Sequence, residues 1–188
     1  VEKNDLITIN VLILELATMI VAIALAFTAE SLASLKIITF YVLTEFIIIT
    51  VVVIWFWWLY VMLRLKYPPL SDTFPIYDVL ILVSISLFPF VYKLGGLTYL
   101  SILLSMMMLF WSTLLFQIIK EHKGNMVKEE ITIIRTEAKL RLVVVVLSAI
   151  TALVSFFSSL YGTILFSLVI FIIILSAYIH RISRKFTE

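Results

Sequence analysis

Glu15 and Glu45 are the residues best placed to do chemistry, because each interrupts an apolar run long enough to cross a bilayer as a helix. A carboxylate at the centre of such a helix costs about 2.5–3.5 kcal/mol even on lenient insertion scales. It must therefore face protein or water, and intramembrane carboxylates of this kind mark cation or proton pathways. Glu15 follows Asp5 by about 15 Å of helix, and Glu45 follows Lys36 by about 13.5 Å from the other end. Antiparallel neighbours would bring both to mid-depth. On the first helix Thr8, Val11, Glu15, Thr18 and Ala22 fall on one face, a small and polar stripe suited to a pore or a close helix contact. Asn10 is the other residue that interrupts that apolar run, and Tyr41 lies one turn from Glu45. The candidate ion-pathway residues are Glu15, Thr8, Thr18, Asn10 and Glu45. A second reading stands beside this one: both glutamates are protonated and bonded to Thr, Tyr or Ser groups as structural glue.

Other chemistry has little to stand on. The chain has no cysteine, two histidines and four glycines, which removes thiolate metal sites, cysteine nucleophiles and glycine-rich phosphate loops. His122 and His180 fall at helix ends, and no Ser/His/Asp arrangement or zinc spacing occurs. Met106, Met107 and Met108 are consecutive and so point in different directions, which suits packing rather than soft-metal ligation. Ser84, Ser86, Ser101, Ser105 and Ser112 are ordinary hydroxyls of apolar helices, bonding backward or across interfaces. We expect no enzyme activity, no cofactor, no metal and no nucleic-acid partner.

The elements that must hold these carboxylates follow from composition. Of the 188 residues, 63% are hydrophobic and 14% charged, against about 25% charged in a soluble domain. The expected fold is all-α, a polytopic membrane bundle of six helices in one domain. They run over about 6–27, 36–63, 77–92, 97–119, 142–160 and 164–179. Pro68 and Pro69 close the second helix, Lys93-Leu94-Gly95-Gly96 forms a tight turn, and Tyr161-Gly162-Thr163 separates the last two. The first apolar run follows acidic residues and carries Glu15, unlike a cleaved leader.

Six helices place twelve of the 14 lysines and arginines on one side and only Lys36 and Lys93 on the other. By the positive-inside rule both termini are cytoplasmic, with the cell membrane as the expected location. Trp55, Trp57 and Trp58 sit near the basic end of the second helix, as aromatic belts do. Residues 120–141 read as a cytoplasmic helical connection, since Val127, Ile131, Ile134 and Ala138 recur at helical spacing and Glu137 lies four residues before Arg141.

One order of motifs is familiar. Ile54-Trp55-Phe56-Trp57-Trp58-Leu59-Tyr60 closes the second helix. Ser86-Leu87-Phe88-Pro89-Phe90 follows in the third, and an aromatic-rich fourth helix ends in Gln117-Ile118-Ile119-Lys120. This resembles the endosomal and lysosomal potassium channel family that lacks a re-entrant filter loop, in its six-helix prokaryotic members. The resemblance covers the middle of the chain. It implies an oligomer whose first helix lines the pore and forms a hydrophobic constriction. That family's first helix opens with Phe-Ser-Asp, which is absent here. Ile9-Asn10-Val11-Leu12-Ile13-Leu14-Glu15-Leu16 is similar to its apolar stretch closing on an acidic residue, which implies a constriction around Ile9, Leu12 or Ile13.

The leading expectation is a channel or transporter subunit for a monovalent cation, with potassium implied by the resemblance, surrounded by membrane lipid and assembled as a homo-oligomer. The alternative is a non-catalytic accessory or structural subunit bound to other membrane subunits.

Overall fold

The computed structural model describes residues 3–33, 40–70 and 76–185, with side chains described at 11–30, 33, 43, 46–70 and 76–175. Those residues are helical almost throughout, in five elements: α1 Lys3–Ala33, α2 Phe40–Lys66, α3 Ile76–His122, α4 Lys128–Phe157 and α5 Ser159–Lys185. Four helices (α1 to α4) are long and apolar enough to cross a membrane. The described apolar part of α5, Ser159–Leu175, is shorter.

The expected third and fourth helices form the single element α3, 47 residues long. Straight, it would reach about 70 Å, more than twice the hydrocarbon thickness. It is not straight at its middle: Gly95 (φ −147°, ψ 17°) and Gly96 (φ 59°, ψ −145°) leave helical geometry. The positive φ of Gly96 is one that residues with a side chain rarely adopt. Pro89, by contrast, sits inside the helix without ending it. The expected connection 120–141 is mostly helix. α3 runs on to His122, a turn occupies 123–127, and α4 starts at Lys128. The α4–α5 break falls at Ser158 (φ −150°, ψ 112°) rather than at 161–163.

The chain divides into two compact units, Val1–Leu94 and Gly95–Glu188. In the first, α1 packs on α2. Ile13, Ala17, Val21, Ala24 and Thr28 recur every three or four residues as its buried stripe. The buried stripe of α2 is Val53, Phe56, Tyr60 and Arg64, extended by Tyr67 just past its end. Phe56 meets Phe88 of α3 with ring centroids 5.9 Å apart.

In the second unit, Thr98, Ser101, Ser105, Met108 and Ser112 of α3 repeat with alternating three- and four-residue steps. Ala138, Arg141, Val145, Ser148, Ala152 and Ser155 do the same on α4. The two rows face each other antiparallel. Thr98 Oγ1 lies 2.9 Å from Ser155 Oγ, Ser105 donates to the Val145 carbonyl at 3.1 Å, and Ser112 donates to the Ala138 carbonyl at 3.0 Å. Small and hydroxyl residues let two apolar helices approach closely and bond across the seam. α5 packs on α4 beyond the Ser158 break.

Candidate functional site

Glu15 stands near the middle of α1, and its side chain is exposed. Val11, Thr18 and Ala22, which share its face, are exposed too, so the described part of the stripe expected from spacing is uncovered in the single chain. Thr18 spends its hydroxyl on the Leu14 carbonyl at 2.9 Å and donates nothing to Glu15. The buried row Ile13–Thr28 lies on the other side of the helix. Leu12 and Ile13 therefore part company: Leu12 is 57% exposed and Ile13 7%. The side chains of Thr8, Ile9, Asn10, Tyr41 and Glu45 lie outside the described residues, so any meeting of the two glutamates does as well.

Two buried charged clusters escape a reading based on span centres. At the end of α2, Arg64 reaches Asp78 in the first turn of α3, both side chains 2% exposed. Arg64 Nε donates to Asp78 Oδ1 at 2.6 Å and Nη2 donates to Oδ2, a fork-on-fork pair. Tyr60 donates its hydroxyl to Asp78 Oδ1 at 2.7 Å, and Arg64 Nη1 donates to the Tyr67 carbonyl at 3.2 Å. Tyr60 and Arg64 lie four residues apart on one face, and this spacing together with an acidic residue opening the next helix was the available signal. The cluster ties α2, its following turn and α3 together, and its charge is internally neutralised.

In the second unit, Arg141 lies on the seam. Its guanidinium sits 4.4 Å from the centre of the Trp111 ring, Nη2 donates to Glu137 Oε1 at 2.6 Å, and Nη1 lies 3.6 Å from Met108 Sδ. The indole face and the carboxylate engage the guanidinium through its terminal nitrogens, while the buried Nε has no hydrogen-bond partner among the described residues. The hydroxyls of Ser101 and Ser148 on the same seam have no hydrogen-bond partner among the described residues. No cluster of three or more His, Cys, Asp or Glu able to hold a metal occurs among the described residues.

Among the described residues of the candidate sites, Glu15 is the one charged side chain that is both far from the helix ends and exposed. The Arg64–Asp78 cluster is closed on itself, and the Arg141 cluster joins α3 to α4. No protein-family model, no curated protein and no solved structure matches the chain.

Proposed function

We propose that the chain is a multi-pass membrane subunit that assembles with copies of itself around a pathway for a monovalent cation, with α1 lining it and Glu15 as its main polar group. Potassium is the candidate cation, on the resemblance of the Trp-rich end of α2 and the Leu87-Phe88-Pro89-Phe90 stretch to the channel family without a re-entrant filter loop. Six passes follow when the segments of α3 on either side of Gly95-Gly96 are counted separately beside α1, α2, α4 and α5. The charge asymmetry then puts both termini in the cytoplasm.

The observation that carries this reading is the exposed carboxylate of Glu15 at mid-helix. Against lipid it would cost about 2.5–3.5 kcal/mol in every copy. Water in a pathway, or the same face of another copy, removes that cost. Copies arranged about an axis would bring their carboxylates into a ring, which favours cations electrostatically. Leu12, one turn before Glu15 on the outward side, is the described residue able to narrow such a path.

Flux of potassium, sodium and protons into liposomes tests the proposal. Wild-type protein should carry cations well above empty vesicles. Glu15→Gln should lower the rate or the cation preference about tenfold, equivalent to about 1.4 kcal/mol in the barrier. Flux equal to empty vesicles, or a real flux that Glu15→Gln leaves unchanged in rate and selectivity, would refute it.

A further inference from the structure

One face of α4 changes character along its length without ever being covered. At 3.6 residues per turn, Lys128, Thr132, Arg135 and Lys139 share that face, and Leu142, Val143, Val146, Ile150, Leu153 and Phe157 continue it. All ten are exposed. The buried seam residues Ile134, Ala138, Arg141, Ser148 and Ala152 lie on another side. Two of the three carboxylates of α4, Glu130 and Glu137, lie off that face. Glu137 is turned to Arg141, which it binds at 2.6 Å, and Glu130 lies two turns before it on that side of the helix. The outward face of the first turns carries three cations, Lys128, Arg135 and Lys139, with the exposed Glu129 at its margin beside Lys128, and it runs directly into an apolar strip.

The depth of this switch can be bracketed twice. On α4 itself the apolar strip begins at Leu142, so Lys139 and Arg135 lie about 4.5 and 10.5 Å before it. The second bracket comes from the Ser112–Ala138 bond, which sets the register between α3 and α4. Seven residues on from Ser112 stands Ile119, the last apolar residue of α3 before Lys120, and seven back from Ala138 stands Ile131. Arg135 and Lys139 stand between the two limits, Ile131 and Leu142, the interval in which the apolar surface of this unit gives way to a polar one.

We infer that Arg135 and Lys139 form a binding site for the phosphate of an anionic phospholipid headgroup, whose acyl chains lie along Leu142, Val143 and Val146. The guanidinium of Arg135 offers a planar fork to phosphate oxygens, and Lys139 can extend its ammonium to the same layer while its stem lies on apolar surface. The inference rests on the membrane-spanning part of the reading above and not on transport.

The test uses the full chain purified in detergent and a soluble short-chain phosphatidylglycerol, with the matching phosphatidylcholine beside it. Wild-type protein should bind phosphatidylglycerol more tightly, with the preference shrinking as salt rises. Each basic residue contributes roughly fivefold in affinity at a membrane surface, so Arg135→Gln/Lys139→Gln should weaken phosphatidylglycerol binding about 25-fold. Phosphatidylcholine binding should hardly change. Lys93→Gln, an exposed lysine elsewhere, should leave the preference intact, as should the charge-preserving Arg135→Lys/Lys139→Arg. Four outcomes would overturn the inference: no headgroup preference in the wild type, an unaltered preference in the double Gln variant, its loss in the charge-preserving variant, or its abolition by millimolar inorganic phosphate, which would make free phosphate the ligand. A chain that binds phosphatidylglycerol as described but carries no cations would refute the proposed function and leave this site standing.

Discussion

Asp78→Ala should destabilise the chain by about 3–5 kcal/mol, the cost of leaving a buried charge without its partner. Arg64 reaches Asp78 with two nitrogens, and both side chains are 2% exposed, so no water can replace the lost carboxylate without opening the contact between α2 and α3. Tyr60 would lose its acceptor as well. Thermal unfolding in detergent, followed by loss of helical signal, reads the effect as a large drop in Tm. The matched replacement Arg64→Met/Asp78→Leu should recover much of the loss, because an apolar pair of similar volume often substitutes for a buried ion pair at little cost. A Tm for Asp78→Ala equal to wild type would show that the pair does not hold the first unit together.

Gly162→Val should be the other severe change, here in the second unit. A Cβ at residue 162 would stand 2.4 Å from the Cβ of Ser155 and 2.7 Å from its Cα. No rotamer relieves a clash with a backbone atom, so α5 would have to move away from α4. Ser155 is also where α4 meets α3. Its hydroxyl donates to the Ala152 carbonyl at 2.9 Å, which leaves Thr98 Oγ1 as the donor in their 2.9 Å bond. Pushing Ser155 aside would therefore disturb a second contact. Overpacking of this kind costs about 1–3 kcal/mol, and the backbone contact puts Gly162→Val at the upper end. The measurement is the same melting experiment, with Gly124→Val, whose Cβ would meet open space, as the neutral comparison. Equal melting of the two variants would contradict the close approach.

These two sites show where reading the sequence succeeds and where it stops. Apolar runs marked the all-helical character and the membrane-length segments, because spanning length is a local property. The arrangement of partners is not local. Neither Arg64 nor Asp78 stood out in the sequence, since nothing in either segment states that they meet. Gly162 was visible as a glycine between two apolar runs and was read as a turn. It is instead a close-packing residue inside α5, and the break lies at Ser158, where no glycine or proline marks it. The serines of α3 looked commonplace singly. Their alternating three- and four-residue spacing, matched on α4, is the signal that Ser101, Ser105 and Ser112 share a seam.

For the candidate pathway, helical spacing was enough to group Val11, Glu15, Thr18 and Ala22 on one face. Which side of α1 that face takes depends on the small residues Ala17 and Ala24, which pack inward with Ile13 and Val21 and leave Glu15 outside. The hydrophobic pattern around α1 is too uniform for sequence to choose between the two sides, since apolar residues occupy both.

The central claim is that the Glu15 face of α1 meets its counterpart in another copy. The chain has no cysteine, so single cysteines can be placed without background. Thr18→Cys and Ala22→Cys, on the Glu15 face, should each give covalent dimers when membranes holding the protein are treated with a short bis-maleimide. Ile150→Cys, on the exposed apolar face of α4, should stay monomeric under the same treatment. Thr18→Cys and Ala22→Cys chains that remain monomeric, or that cross-link no better than Ile150→Cys, would contradict the account.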